Sequence, residues 1–193
     1  MISTRGRRWA GGFSLLELVI VVAITLVVSA VAIPAIGTTL YNVRLRTGVN
    51  SVSGLIQNGR MLSVKQNRIY KVRFGTGGSS ALVYVDLNDD GIPQSTEPQV
   101  QLGGEIVKSV APTGVSPAPL DSTYLGQNPA TGNPDPYFDS RGMPHPVGST
   151  NSPWLAYYFK DNRPLGPAGW AAISISPAGR VKTWIWNGSA WAD

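Results

Sequence analysis

From Phe13 to Ile36 the chain reads FSLLELVIVVAITLVVSAVAIPAI, and its only ionisable side chain is Glu17. About 18 apolar residues in a row argue a membrane-spanning helix. Three arginines, Arg5, Arg7 and Arg8, precede the run. Positive charge before a span stays in the cytoplasm, so the bulk of the chain is expected outside it, single-pass, anchored in the inner membrane. A cleaved secretory signal fits badly, because the run is too long and no small-x-small pattern closes it. A carboxylate inside such a helix is costly in lipid, which makes Glu17 a functional candidate.

A basic leader ending in Gly-Gly, then Phe13-Ser14-Leu15-Leu16-Glu17, the unbroken apolar run and Pro34 resemble the class III signal of type IV pilins and type II secretion pseudopilins. The resemblance implies a prepilin peptidase that cuts between Gly12 and Phe13 and methylates the new amino group. It also implies that Glu17 faces the N-terminus of a neighbouring pilin or pseudopilin subunit during assembly. The physics agrees: an ammonium and a carboxylate attract strongly in low dielectric, and each alone is penalised there.

Composition removes several alternatives. The chain has no cysteine, hence no disulfide, thiol nucleophile or Cys-based metal site. Its one histidine, His145, is clamped between Pro144 and Pro146 and reads as a rigid turn, not a triad member. The formal charge of +5 includes the three leader arginines, so basicity alone is no nucleic-acid footprint.

The expected organisation is a leader over 1–12, a transmembrane helix over 13–36, an amphipathic continuation over 37–66 and a β-sheet domain over 67–193. In the second helical part Gly48, Val52, Leu55, Ile56, Gly59 and Leu62 share one face. From Ile69 the period changes to two, with strands expected at 69–74, 81–86, 99–102, 105–110, 155–159, 170–176 and 181–186, and a short one at Tyr137-Phe138. Residues 112–153 hold nine of the 15 prolines and read as a long loop. The fold class is α+β: a long N-terminal helix packed on a C-terminal antiparallel sheet. Gly59-Arg60, Asn67-Arg68-Ile69, the VYVDLNDDG stretch, Phe138-Asp139-Ser140-Arg141-Gly142 and the ISISPAGR stretch resemble the FimT/GspH-type minor pilins.

Two further motifs carry chemistry. Asp86-Leu87-Asn88-Asp89-Asp90-Gly91 with Glu97 matches a calcium-loop pattern letter for letter, with Asp86, Asn88, Asp90, Ile92 and Glu97 as candidate ligands. A strand precedes it where that loop has a helix, and Pro93 and Pro98 interrupt it, so a plain Asp-Gly hairpin loop stands beside the calcium reading. In the last long strand Arg180, Lys182, Trp184 and Trp186 fall on one face. Cations for phosphate and rings for bases suit DNA, and in FimT-like minor pilins a C-terminal Gly-Arg-x-Arg element is associated with DNA binding. Here Lys182 stands at the second arginine. The alternative is that the tryptophans pack on the sheet while the cations reach water.

The reading is a structural, non-enzymatic subunit, a minor pilin or pseudopilin of a type IV pilus or type II secretion filament. The alternatives are a DNA-binding minor pilin of a competence pilus and a calcium-dependent, envelope-anchored binding module.

Overall fold

The computed structural model describes residues 13–75, 82–103, 105–109, 134–163 and 169–192, with backbone only at 33–35 and 38. The leader with Gly12, the glycine- and serine-rich link after Gly75 and the first part of the proline-rich segment lie outside the described residues. A 52-residue helix, α1 (Leu15–Gln66), opens the fold. The chain divides into two compact units, Met1–Thr39 and Leu40–Asp193.

In the first unit every described side chain from Phe13 to Ala32 is exposed. Leu15–Ala32 has a mean hydropathy of 2.8, long and apolar enough to cross a membrane. Ser14 starts the helix: its Oγ accepts from the Glu17 amide at 3.1 Å, and its carbonyl accepts from the Leu18 amide at 3.1 Å. Ser14-x-x-Glu17 is thus also the sequence of a capping box, with the glutamate at the third helical position.

In the second unit the helix buries Leu45, Val49, Val52, Leu55 and Ile56, spaced by four, three, three and one as one helical face requires. Gly59 lies under the sheet, where an added Cβ would stand 3.1 Å from Val72 Cγ2. The helix stops at Asn67, whose φ of 52° is the left-handed conformation common just past a helix end, and the Arg68 amide returns to the Ser63 carbonyl at 3.1 Å.

Ten strands follow: β1 (Tyr70–Phe74), β2 (Leu82–Asp86), β3 (Gln99–Gln101), β4 (Ile106–Ser109), β5 (Pro136–Phe138), β6 (Pro144–Pro146), β7 (Leu155–Asp161), β8 (Trp170–Ile175), β9 (Val181–Trp186) and β10 (Trp191–Ala192). They form two five-stranded sheets, ordered β3-β2-β1-β5-β6 and β10-β9-β8-β7-β4. The pairings are antiparallel. One core joins the helix to both sheets, with Val72, Val85 and Phe138 from the first and Leu155, Tyr157, Phe159, Ile173 and Ile175 from the second. The fold is therefore α+β, a helix packed on antiparallel sheet.

Two strands escape the sequence pattern. Pro144-His145-Pro146 is not a turn but edge strand β6, pairing Pro136 with Pro146 and Phe138 with Pro144. Proline can hold an edge place because its missing N–H costs nothing on the unpaired side. Trp191-Ala192 is a two-residue strand, too short to show a period.

The outer face of the second sheet has its own cluster of Ala156, Tyr158, Ala172, Trp184, Trp186 and Trp191, with Trp154 and Trp170 against it. Small residues at 156, 172 and 174 leave room for large rings beside them, and Trp184 Nε1 donates to Ser174 Oγ at 2.9 Å.

Candidate functional site

Three places hold the polar chemistry of the second unit. In the first, the end of α1 meets two sheet turns. Arg60 projects from the helix; its Nε donates to the Gly142 carbonyl and its Nη2 to the Ala178 carbonyl, both at 2.9 Å. The turns share a design. In one, Gly142 N donates to Asp139 O at 2.8 Å while Asp139 Oδ1 accepts from the Arg141 and Met143 amides. In the other, Gly179 N donates to Ser176 O at 2.8 Å while Ser176 Oγ accepts from the Arg180 amide. Gly142 and Gly179 have φ of 77° and 78°, which L side chains avoid. Burial pushes the Asp139 carboxyl up, but the two amides and the Arg141 guanidinium outweigh it and hold the group below the ordinary carboxylate value. Periodicity puts Arg60 off the apolar face and gives no sign of these contacts.

The second place is the loop after β2. Asp86 is buried; its Oδ2 accepts from Arg73 Nε at 2.6 Å and from the Gly91 amide at 3.1 Å. Asn88 donates to Asp90 Oδ2, and Asp90 also accepts from the Ile92 amide and from Gln94 Nε2, each at 2.8 Å. Glu97, buried, accepts from the Leu87 amide at 2.8 Å and the Gln94 amide at 3.1 Å. Asp89, outside the candidate ligand set, takes Lys71 and Arg73 instead. The Lys71 hydrogen bond is the main reason that its carboxyl lies low; the Ile92 amide does the same for Asp90. Apart from Asp86 Oδ1, which is buried with no hydrogen-bond partner, the carboxylate oxygens of the candidate ligands thus turn to N–H donors of the chain. Among the described residues no three His, Asp or Glu side chains converge to hold a metal ion, so in this arrangement the set does not fit the six-to-eight-oxygen shell that calcium needs.

The third place is β9. Arg180 is exposed, next to Gly179. Lys182 Nζ stands 4.1 Å from the centre of the Trp184 ring. Trp184 and Trp186 are 9% and 8% exposed and belong to the aromatic cluster, so their ring faces are largely occupied. The same sheet face carries Lys160, whose Nζ is 5.7 Å from the Trp170 ring. Arg141, with a side chain 77% exposed, stands on the turn that Arg60 ties beside Arg180; sequence separation hid this neighbour.

No family model matches the chain, and no curated protein matches it. Among solved structures, one is similar at 13% identity and a TM-score of 0.47, covering 77% of this chain and 92% of its own. That protein is the type IV minor pilin FimU of Pseudomonas aeruginosa.

Proposed function

We propose that the chain is a minor pilin or pseudopilin, a structural subunit of a type IV pilus or type II secretion filament and not an enzyme. It is anchored in the inner membrane by residues 13–36, with the unit from Leu40 onward outside the cytoplasm. One observation carries this reading: a wholly exposed apolar helical segment has Glu17 as its only charge, three residues after the capping Ser14. A lone carboxylate in lipid calls for a cationic partner, and a methylated N-terminal amine of a neighbouring subunit would supply one. Processing by prepilin peptidase at Gly12–Phe13 belongs to the same reading. Intact-mass measurement on membrane-extracted protein from cells with active peptidase tests it. The expected chain starts at N-methylated Phe13; a chain that retains residues 1–12 refutes the assignment.

A second reading, DNA binding by the same subunit, is favoured by the exposed Arg180 and Arg141 on the two turns tied by Arg60. Contacts of this kind would go to phosphate, through cations, and not to bases through the largely buried Trp184 and Trp186.

A further inference from the structure

The chain has two Asn-Gly steps, Asn58-Gly59 and Asn187-Gly188, and the fold treats them differently. Asn58 and Gly59 lie inside α1, where each amide is engaged in the helical ladder. Gly59 is buried there, with an added Cβ only 3.1 Å from Val72 Cγ2. Asn187 and Gly188 lie in the turn between β9 and β10, which the Asn187 amide closes on the Ala190 carbonyl at 3.1 Å. Asn187 is exposed. Its side-chain oxygen Oδ1 accepts from the Ser189 amide and the Ser189 hydroxyl, each at 2.9 Å, and from the Ala190 amide at 2.8 Å. The Gly188 amide, by contrast, donates to no acceptor among the described residues. Gly188 has a φ of 101° and no side chain to stand in the way. A free backbone nitrogen thus follows directly on a side-chain amide whose oxygen is held by three donors.

We propose that Asn187 is a self-modifying residue, converted by its own turn to aspartate and isoaspartate in the folded chain. Gly188 N adds to Asn187 Cγ, and the negative charge that builds on Oδ1 falls where the Ser189 and Ala190 donors already point, as in an oxyanion hole. The N–Cγ bond forms and the Cγ–Nδ2 bond breaks. The proton lost from the Gly188 amide is balanced by one that the leaving NH2 group gains, and ammonia departs. Water then opens the cyclic imide: at Cγ it leaves aspartate, and at the main-chain carbonyl it leaves isoaspartate. Nucleophile and electrophile are adjacent in the chain, so no cofactor or second protein is needed to bring them together. Aspartate keeps an acceptor for the three donors. Isoaspartate adds a carbon to the main chain at the turn that sets the Trp191–Trp186 register. It therefore draws Trp191 away from the rings of Trp186 and Tyr158, whose centres lie 5.5 and 6.1 Å from its own.

The test follows the detergent-solubilised full chain at mildly alkaline pH by peptide mapping, with fragmentation that separates asparagine, aspartate and isoaspartate at 58 and 187. In the folded wild type Asn187 is expected to convert about tenfold or more faster than Asn58, since opening the helix by even about 1.4 kcal/mol slows Asn58 tenfold. Asn187 should convert no more slowly folded than in urea, where the two steps should react at similar rates. Ser189→Ala removes the hydroxyl donor and should slow Asn187 severalfold in the folded chain while leaving its rate in urea unchanged. Tryptophan emission should move to the red in step with isoaspartate at 187. Folded protein that keeps Asn187 while the urea sample loses it would overturn the proposal, because the turn would then protect the amide. A folded Ser189→Ala rate equal to wild type would overturn the role of the donors; if that variant does not fold, the comparison of folded with urea-unfolded wild type decides alone. Emission that stays unchanged at high isoaspartate would overturn the link to the aromatic cluster.

Discussion

Arg60 stands where a side chain on residue 179 would begin: a Cβ at that position would lie 2.5 Å from the Arg60 Nε and 2.8 Å from the Gly142 carbonyl oxygen. The guanidinium, the Gly142 turn of the first sheet and the Gly179 turn of the second thus occupy one small volume. Their partners are 82 and 118 residues away in the chain.

Removing the guanidinium leaves two carbonyls short of a donor. Arg60→Gln should lower stability by about 1–3 kcal/mol, and Arg60→Lys should restore only part of that, since one ammonium does not match two separated carbonyls. Thermal or urea unfolding of the solubilised chain measures both. A wild-type stability for Arg60→Gln would show that water replaces the contacts without loss.

The glycines make a graded series. Gly179→Ala combines a positive φ with a severe clash and should cost more than about 1 kcal/mol. Gly54, on an exposed helical position with nothing within 4 Å of an added Cβ, should gain about 0.5–1 kcal/mol on substitution by alanine. Opposite signs for the two changes, read as shifts in unfolding midpoint, are the expected outcome.

Asp139 sets an acid limit. Its carboxyl is depressed in the folded chain, so the stability it adds is fully present above the unfolded carboxylate value and is lost as pH falls through the folded value. The gap between wild type and Asp139→Asn should be constant near neutrality and narrow below about pH 4. A gap that is independent of pH down to that range would assign the role to hydrogen bonding without charge.

Glu17 has two candidate roles, helix capping and pairing with a neighbour's amine. Glu17→Val should insert into the membrane as well as wild type or better, because a charge has been removed, and should fail to enter filaments. Glu17→Gln keeps a side chain suited to the third helical position while removing the charge. Recovery of filament incorporation by Gln would reduce the residue to a cap; continued failure would support the ion pair.

For the DNA reading, Arg180→Gln with Lys182→Gln should flatten the dependence of log affinity on log salt by about 1.8, two phosphate contacts' worth. Polarisation titrations of the solubilised chain at two salt concentrations measure this. An unchanged slope would move any contact away from β9.

The α+β class was legible because the apolar period changes from helical to alternating near residue 69. Strand β9 keeps the bounds that alternation gives it, since Val181 and Ile185 pack toward the main core while Trp184 and Trp186 join the outer cluster. Strand β6 was hidden because Pro-His-Pro offers no alternating pattern. Arg60 and Arg73 were hidden for another reason: on its own helix or strand each looks like an ordinary polar position, and only the approach of distant turns or of the 86–97 loop gives it work. Ser14 could have been found, since Ser-x-x-Glu before an apolar run is a local signal.

The strand Pro144–Pro146 has a consequence beyond pairing. Among the described residues the outermost strands of the two sheets are β3, β6, β10 and β4, of three, three, two and four residues, and β6 lacks two of its three amide donors. Short, donor-poor borders are poor templates for another chain's backbone. The sheet borders of the second unit are thus guarded against cross-β pairing by their shortness and, at β6, by the missing donors.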